Sequence, residues 1–216
     1  MLAALARLHE RAPLVLHHGD DMVRLTLFWS LFLPLGAHYG VDAGRARSAG
    51  NQLSAKEATG IAPLAFLLQL GSVYVASVFY KYDPIWTVEH TAVHYALSLD
   101  SYTRPWARSL LEMPRLLEAL TVGTLLLEAL GPLLLFVPWR VDRLRLVALA
   151  LFWSFHLGLL ATMQLGLFPW MAMAIWLAVL PPSAMDVIAR RLPRRTLPPR
   201  WLALGSSAPP RPFANR

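Results

Sequence analysis

The chain has no cysteine. That excludes disulfides, thiolate metal sites and a cysteine nucleophile, and it leaves the redox compartment open. Charge is scarce too. Only 15% of the 216 residues are charged, against about 25% in an ordinary soluble domain. The sequence has no phosphate-cradling glycine loop, no G-x-S-x-G elbow and no paired-carboxylate motif, so the common nucleotide-binding and hydrolytic signatures are missing. A short apolar start, Met1 to Arg11, is not followed by a small-residue cleavage site after a proper apolar core, so it does not read as a secretory signal. No internal repeat is visible.

What the chain has in excess is apolar surface: 56% of its residues are hydrophobic. The few charges cluster at short breaks between apolar runs, as spanning segments require. Trp86, Trp106, Trp139 and Trp170 stand at the ends of those runs, where rings suit the headgroup level. The expected fold is all-α, a polytopic membrane bundle of about five spanning or partly spanning helices.

The first run is Met22 to Ala37, short for a span and kinked or ended by Pro34. Asp20 and Asp21 are expected to cap it. The second run is Ile61 to Tyr80, of full spanning length. The third is about Leu116 to Pro138 and holds Glu118, Glu128 and the pair Gly131-Pro132. The fourth is about Leu146 to Leu165. The fifth, Phe168 to Leu180, is set off by Gly166 and Pro169 and ended by Pro181-Pro182. Between the second and third lies the polar stretch 81–113, expected to form short surface helices. Residues 1–21 read as a polar interfacial segment, 22–186 as the transmembrane domain and 187–216 as a basic tail expected to be poorly ordered.

The net charge of +7 raises nucleic acid as a partner, and the pattern argues against it. Much of the excess sits in the tail, from Arg190 to Arg216, with little aromatic interleaving. A basic tail after a last helix reads as a cytoplasmic anchor near anionic lipid. With five spans, the clusters Arg140/Arg143/Arg145 and Arg45/Arg47/Lys56 fall on that same side, and 81–113 faces outside.

Ionisable groups at membrane depth are functional candidates by default. Three stand out: Lys81 at the end of the second run, Glu128 in the third and His156 in the fourth. Each also has a structural reading. Lys81 can snorkel to the interface. Glu128 and His156 can hydrogen-bond between helices, as can Gln69 and Gln164. His90 and His94, four apart, would share a helix face, but without a third ligand or an H-E-x-x-H pattern no metal site is assigned.

Four stretches together resemble bacterial proteins with the horizontally transferred transmembrane (HTTM) domain, relatives of the vitamin K-dependent gamma-glutamyl carboxylase. They are FLPLGAHYGVDA (Phe32 to Ala43), LLQLGSVYVASVFYKYDPIW (Leu67 to Trp86), HTAVHYALSLD (His90 to Asp100) and WSFHLGLLATMQLGLFPWMAMAIWLAVLPP (Trp153 to Pro182). The match covers nearly all of residues 10–186. It implies a multi-pass protein of the bacterial inner membrane with a cytoplasmic C-terminal tail. It implies quinone-linked base chemistry at the outer face, with Lys81 as the base toward reduced vitamin K or menaquinone, and with His156 and Glu128 as supporting polar groups. A general base must be neutral, and burial at an apolar boundary is what frees a lysine amine. Family members usually carry further helices before the first run, so the resemblance also implies a chain short at its N-terminal end. The carboxylase's large outer domain, which grips its protein substrate, has no counterpart in the short 81–113 segment. The alternative is a non-enzymatic membrane module that binds lipid or quinone, or assists a partner protein.

Overall fold

The computed structural model describes residues 18–33 and 61–191. The chain divides into two compact units, Met1–Leu33 with Ala58–Met185 and Pro34–Glu57 with Asp186–Arg216. The first holds nearly all of the described residues. The described part of the second is only 186–191, within one helix.

The described residues are mainly helical, joined by turns and short irregular links with one isolated bridge, and include no strand. Helix α1 spans His18–Ser30 and α2 Ile61–Phe79. Two short helices follow, α3 (Pro84–Thr87) and α4 (Ala92–Leu97), then a 3-10 helix, Pro105–Glu112. Helix α5, Pro114–Leu130, runs on into a 3-10 turn, Gly131–Leu135. Helix α6 is Val141–Thr162, α7 is Phe168–Trp176 with a 3-10 turn at Leu177–Val179, and α8 is Pro182–Arg191.

Among the described residues, three helical stretches are long and apolar enough to cross a membrane: Ile61–Phe79, Pro114–Leu135 and Val141–Thr162. A fourth joins them if the bent pair Phe168–Val179 and Pro182–Ile188 counts as one broken span. A 22-residue helix is about 33 Å long, which matches a hydrocarbon core of about 30 Å. Only 22%, 28% and 17% of the apolar windows of the three helices is buried within the protein. Leu64, Leu68, Leu126, Leu133 and Leu151 are among the large apolar side chains left exposed on them.

Several boundaries differ from the sequence-based expectation. The described part of α1 starts at His18, so Asp20 and Asp21 lie within the helix rather than before it. Helix α1 ends at Ser30, with 13 described residues. Pro34, expected to end it, lies outside the described residues, as do the loop 42–60 and the tail beyond Arg191. His90 does not share a helix with His94. It precedes α4 with a left-handed backbone, φ 54°.

The stretch 81–113 folds as a cap. Asp83 starts α3 by accepting the Ile85 N–H at 3.0 Å. Thr121 of α5 accepts the Val93 N–H at 3.2 Å, which ties the first turn of α4 to the bundle. At the far end, Arg104 N–H donates to Thr162 O and Gln164 N–H to Tyr102 O, and the Arg104 guanidinium donates to Leu160 O. Leu97 and Ala107 of the cap make a small apolar core with Leu117 of α5. The cap therefore joins the end of α2, the start of α5 and the end of α6. By connectivity the three long helices run alternately toward and away from it.

The main core lies lower. Phe152 and Trp176 stack at 4.1 Å between ring centroids, and Tyr74 sits 4.3 Å from Phe152. Gly131 lets the α5 turn approach that stack, because a Cβ there would stand 2.8 Å from the Phe152 ring.

Candidate functional site

Two runs of polar residues face each other across the first unit. Tyr74 and Ser77 of α2 and Lys81, two residues past its last turn, are three and four residues apart and fall on one side of the chain. On α5, Thr121, Thr124 and Glu128 repeat that spacing. These faces meet along a cavity of about 660 Å³ whose wall is otherwise mainly apolar. Lys81, Glu128, Tyr74, Ser77, Thr124 and His156 all line it, and Trp86, Val93 and Leu97 of the cap close one side.

Lys81 and Glu128, 47 residues apart in sequence, form an ion pair. The Lys81 ammonium also donates to Ser77 Oγ at 2.6 Å and stands 5.1 Å from the centre of the Trp86 ring. Lys81, Asp83 and Trp86 act together here. Asp83 starts the short helix that carries Trp86, and Trp86 lays its ring near the ammonium, a cation–π arrangement. The side chains of Lys81 and Glu128 are 15% and 6% exposed. An ion pair held this far from water costs desolvation, and three partners around the ammonium offset it.

His156 is fully buried. It lines the same cavity but bonds neither Lys81 nor Glu128. Its Nε2 lies 3.0 Å from Tyr74 Oη, and the Trp176 indole N–H donates to that same oxygen at 2.8 Å. The imidazole is wedged between Phe155 and Phe168, with ring centroids at 5.2 and 5.6 Å. The structure therefore brings Lys81 and Glu128 into contact and sets His156 apart on a second polar cluster.

Tyr74, Ser77 and Trp176 were not among the sequence-based candidates. The spacing Tyr74–Ser77–Lys81 carried a signal for the first two: three polar groups on one face of an apolar helix need a common polar environment. Trp176 gave none, because its partner lies 102 residues away. Of the two glutamines expected to act between helices, Gln69 accepts the Trp29 indole N–H. Gln164 contributes through its backbone. No group of three or more metal-ligating side chains occurs among the described residues.

No family model, curated protein or solved structure matches this chain.

Proposed function

We propose that this chain is a multi-pass membrane protein of the HTTM type, and that it carries out quinone-linked proton chemistry at the Lys81–Glu128 pair. The carrying observation is the placement of one lysine, just past the end of α2, and one carboxylate, on α5, on the wall of an apolar cavity. A cavity of this kind suits an apolar molecule with a polar end, which is the shape of a reduced naphthoquinone in a bilayer. The exposed apolar faces of α2, α5 and α6 supply the lipid contact.

The pair shares one proton beyond the neutral amine and the carboxylate. The ammonium–carboxylate form and the amine–carboxylic acid form hold the same number of protons and the same net charge. In the second form the Lys81 amine takes a hydroquinone O–H proton. The substrate becomes a phenolate and Lys81 an ammonium that faces it, while Glu128 keeps its proton. Dioxygen is the co-reactant the family resemblance calls for.

The proposed orientation puts the cap outside, with Arg140 and Arg143 at the cytoplasmic end of α6. The alternation of the three long helices agrees with that arrangement.

The same ion pair, with Ser77 and Trp86 around it, would also serve a module that binds a quinone or lipid without reacting. Lys81→Arg separates the two readings, because arginine keeps the charge but is not deprotonated in a protein. In nanodiscs with reduced menaquinone, wild type should oxidise quinone and consume oxygen, and Lys81→Arg should do neither while staying folded. Equal rates would remove the catalytic role of Lys81. Quinone binding without turnover in wild type would leave the binding module.

A further inference from the structure

We infer that the Nδ1–H of His156 is a hydrogen-bond donor held for an acceptor oxygen of the molecule that enters the cavity. The inference rests on the reading of that cavity as a ligand site. It follows from counting protons along one buried chain. An indole nitrogen only donates, so the Trp176 N–H points at Tyr74 Oη, 2.8 Å away. The Tyr74 hydroxyl has one proton of its own to give. Among the described residues its other partner is His156 Nε2 at 3.0 Å, so Nε2 accepts. A neutral imidazole carries a single N–H, which places the proton on Nδ1.

That Nδ1 has no hydrogen-bond partner, although His156 is fully buried. Among the described residues the other such buried side-chain atom is Arg145 Nε, and Arg145 does not line the cavity. An unpartnered buried donor is costly and uncommon in a folded protein. Here it belongs to a residue of the cavity wall, flanked by Phe155 and Phe168, which also line it. The chemistry selects a ligand with a carbonyl or phenolic oxygen on an apolar body, and binding turns one of the two half-buried rings aside. In this arrangement His156 is a neutral donor that positions the ligand. It is not a second base, since its one basic nitrogen is committed to Tyr74.

The test uses three probes of similar shape: menadione (a quinone), 2-acetylnaphthalene (a ketone that is no quinone) and 2-methylnaphthalene (no acceptor). Wild type in nanodiscs should bind both oxygen-bearing probes about tenfold more tightly than the hydrocarbon, the scale of one buried hydrogen bond. Nitrogen NMR of labelled histidine should show His156 protonated at Nδ1, with that proton shifting when either oxygen-bearing probe is added. The side-chain amide nitrogen of asparagine mimics Nδ1, whereas that of glutamine mimics Nε2. His156→Asn should therefore keep the preference, and His156→Gln, which can still meet Tyr74, should lose it.

A proton on Nε2 in wild type, or a preference that survives in His156→Gln, overturns the inference. So does equal affinity for all three probes, or binding of none, and the last removes the ligand-site reading as well. Tight binding of both oxygen-bearing probes in a protein that oxidises no quinone keeps the His156 assignment and removes the quinone chemistry.

Discussion

Removing the carboxylate from Glu128 leaves an ammonium with one hydroxyl and one ring for company in an apolar wall. Breaking a buried pair from one side typically costs about 3–5 kcal/mol, while replacing both partners with apolar groups of similar size is often close to neutral. Glu128→Gln should therefore lower stability in detergent sharply. The double variant Lys81→Met/Glu128→Leu should recover most of the loss in the same unfolding assay. If both variants unfold alike, the pair does not carry the coupling assigned to it. Tyr74→Phe is the companion case. It strips a partner from both the Trp176 N–H and His156 Nε2. The expected cost is about 1–3 kcal/mol, read as a lower unfolding midpoint.

At the scale of elements, the glycines separate packing from propensity. Gly131→Ala drives a methyl group to 2.8 Å from the Phe152 ring, where α5 changes into its 3-10 turn. Overpacking of this kind costs about 1–3 kcal/mol. Gly123 and Gly158 meet nothing within 4 Å, so alanine there should be neutral or stabilising by up to about 1 kcal/mol. Thermal unfolding of the three single variants in one detergent should rank Gly131→Ala last. Its equality with the other two would show that the turn can move away from Phe152. Thr121→Val tests the joint between cap and bundle. It keeps the shape but orphans the Val93 N–H. Hydrogen exchange at α4 should rise while exchange at α2 stays slow.

For the whole molecule, the exposed apolar faces make a plain demand: the protein should stay with the membrane on carbonate washing and come out only with detergent. Because the chain has no cysteine, single cysteines report topology without background. A cysteine at Asp142 should label only after the cytoplasmic side is opened, and one at Ser98 from outside in intact cells. Both residues are exposed. Label reaching position 142 from outside would reverse the proposed orientation. Labelling of both positions from one side would contradict the alternation of the three long helices.

The sequence alone determined the helical class and the positions of the long apolar helices, because hydropathy is a local property and a spanning helix satisfies its own backbone. It also marked Lys81, Glu128 and His156, since an ionisable group in an apolar run is conspicuous wherever the run goes. It could not say which of them meet. That Lys81 pairs with Glu128 while His156 joins Tyr74 and Trp176 depends on how α2, α5, α6 and α7 are rotated against one another. Those rotations are set by close approaches such as Gly131 on Phe152. The cap was equally illegible. Its hold on α5 and α6 runs largely through backbone groups, which every residue except proline carries in the same form and which no sequence pattern distinguishes. Residue types fixed the chemistry on offer. Tertiary packing decided which groups meet.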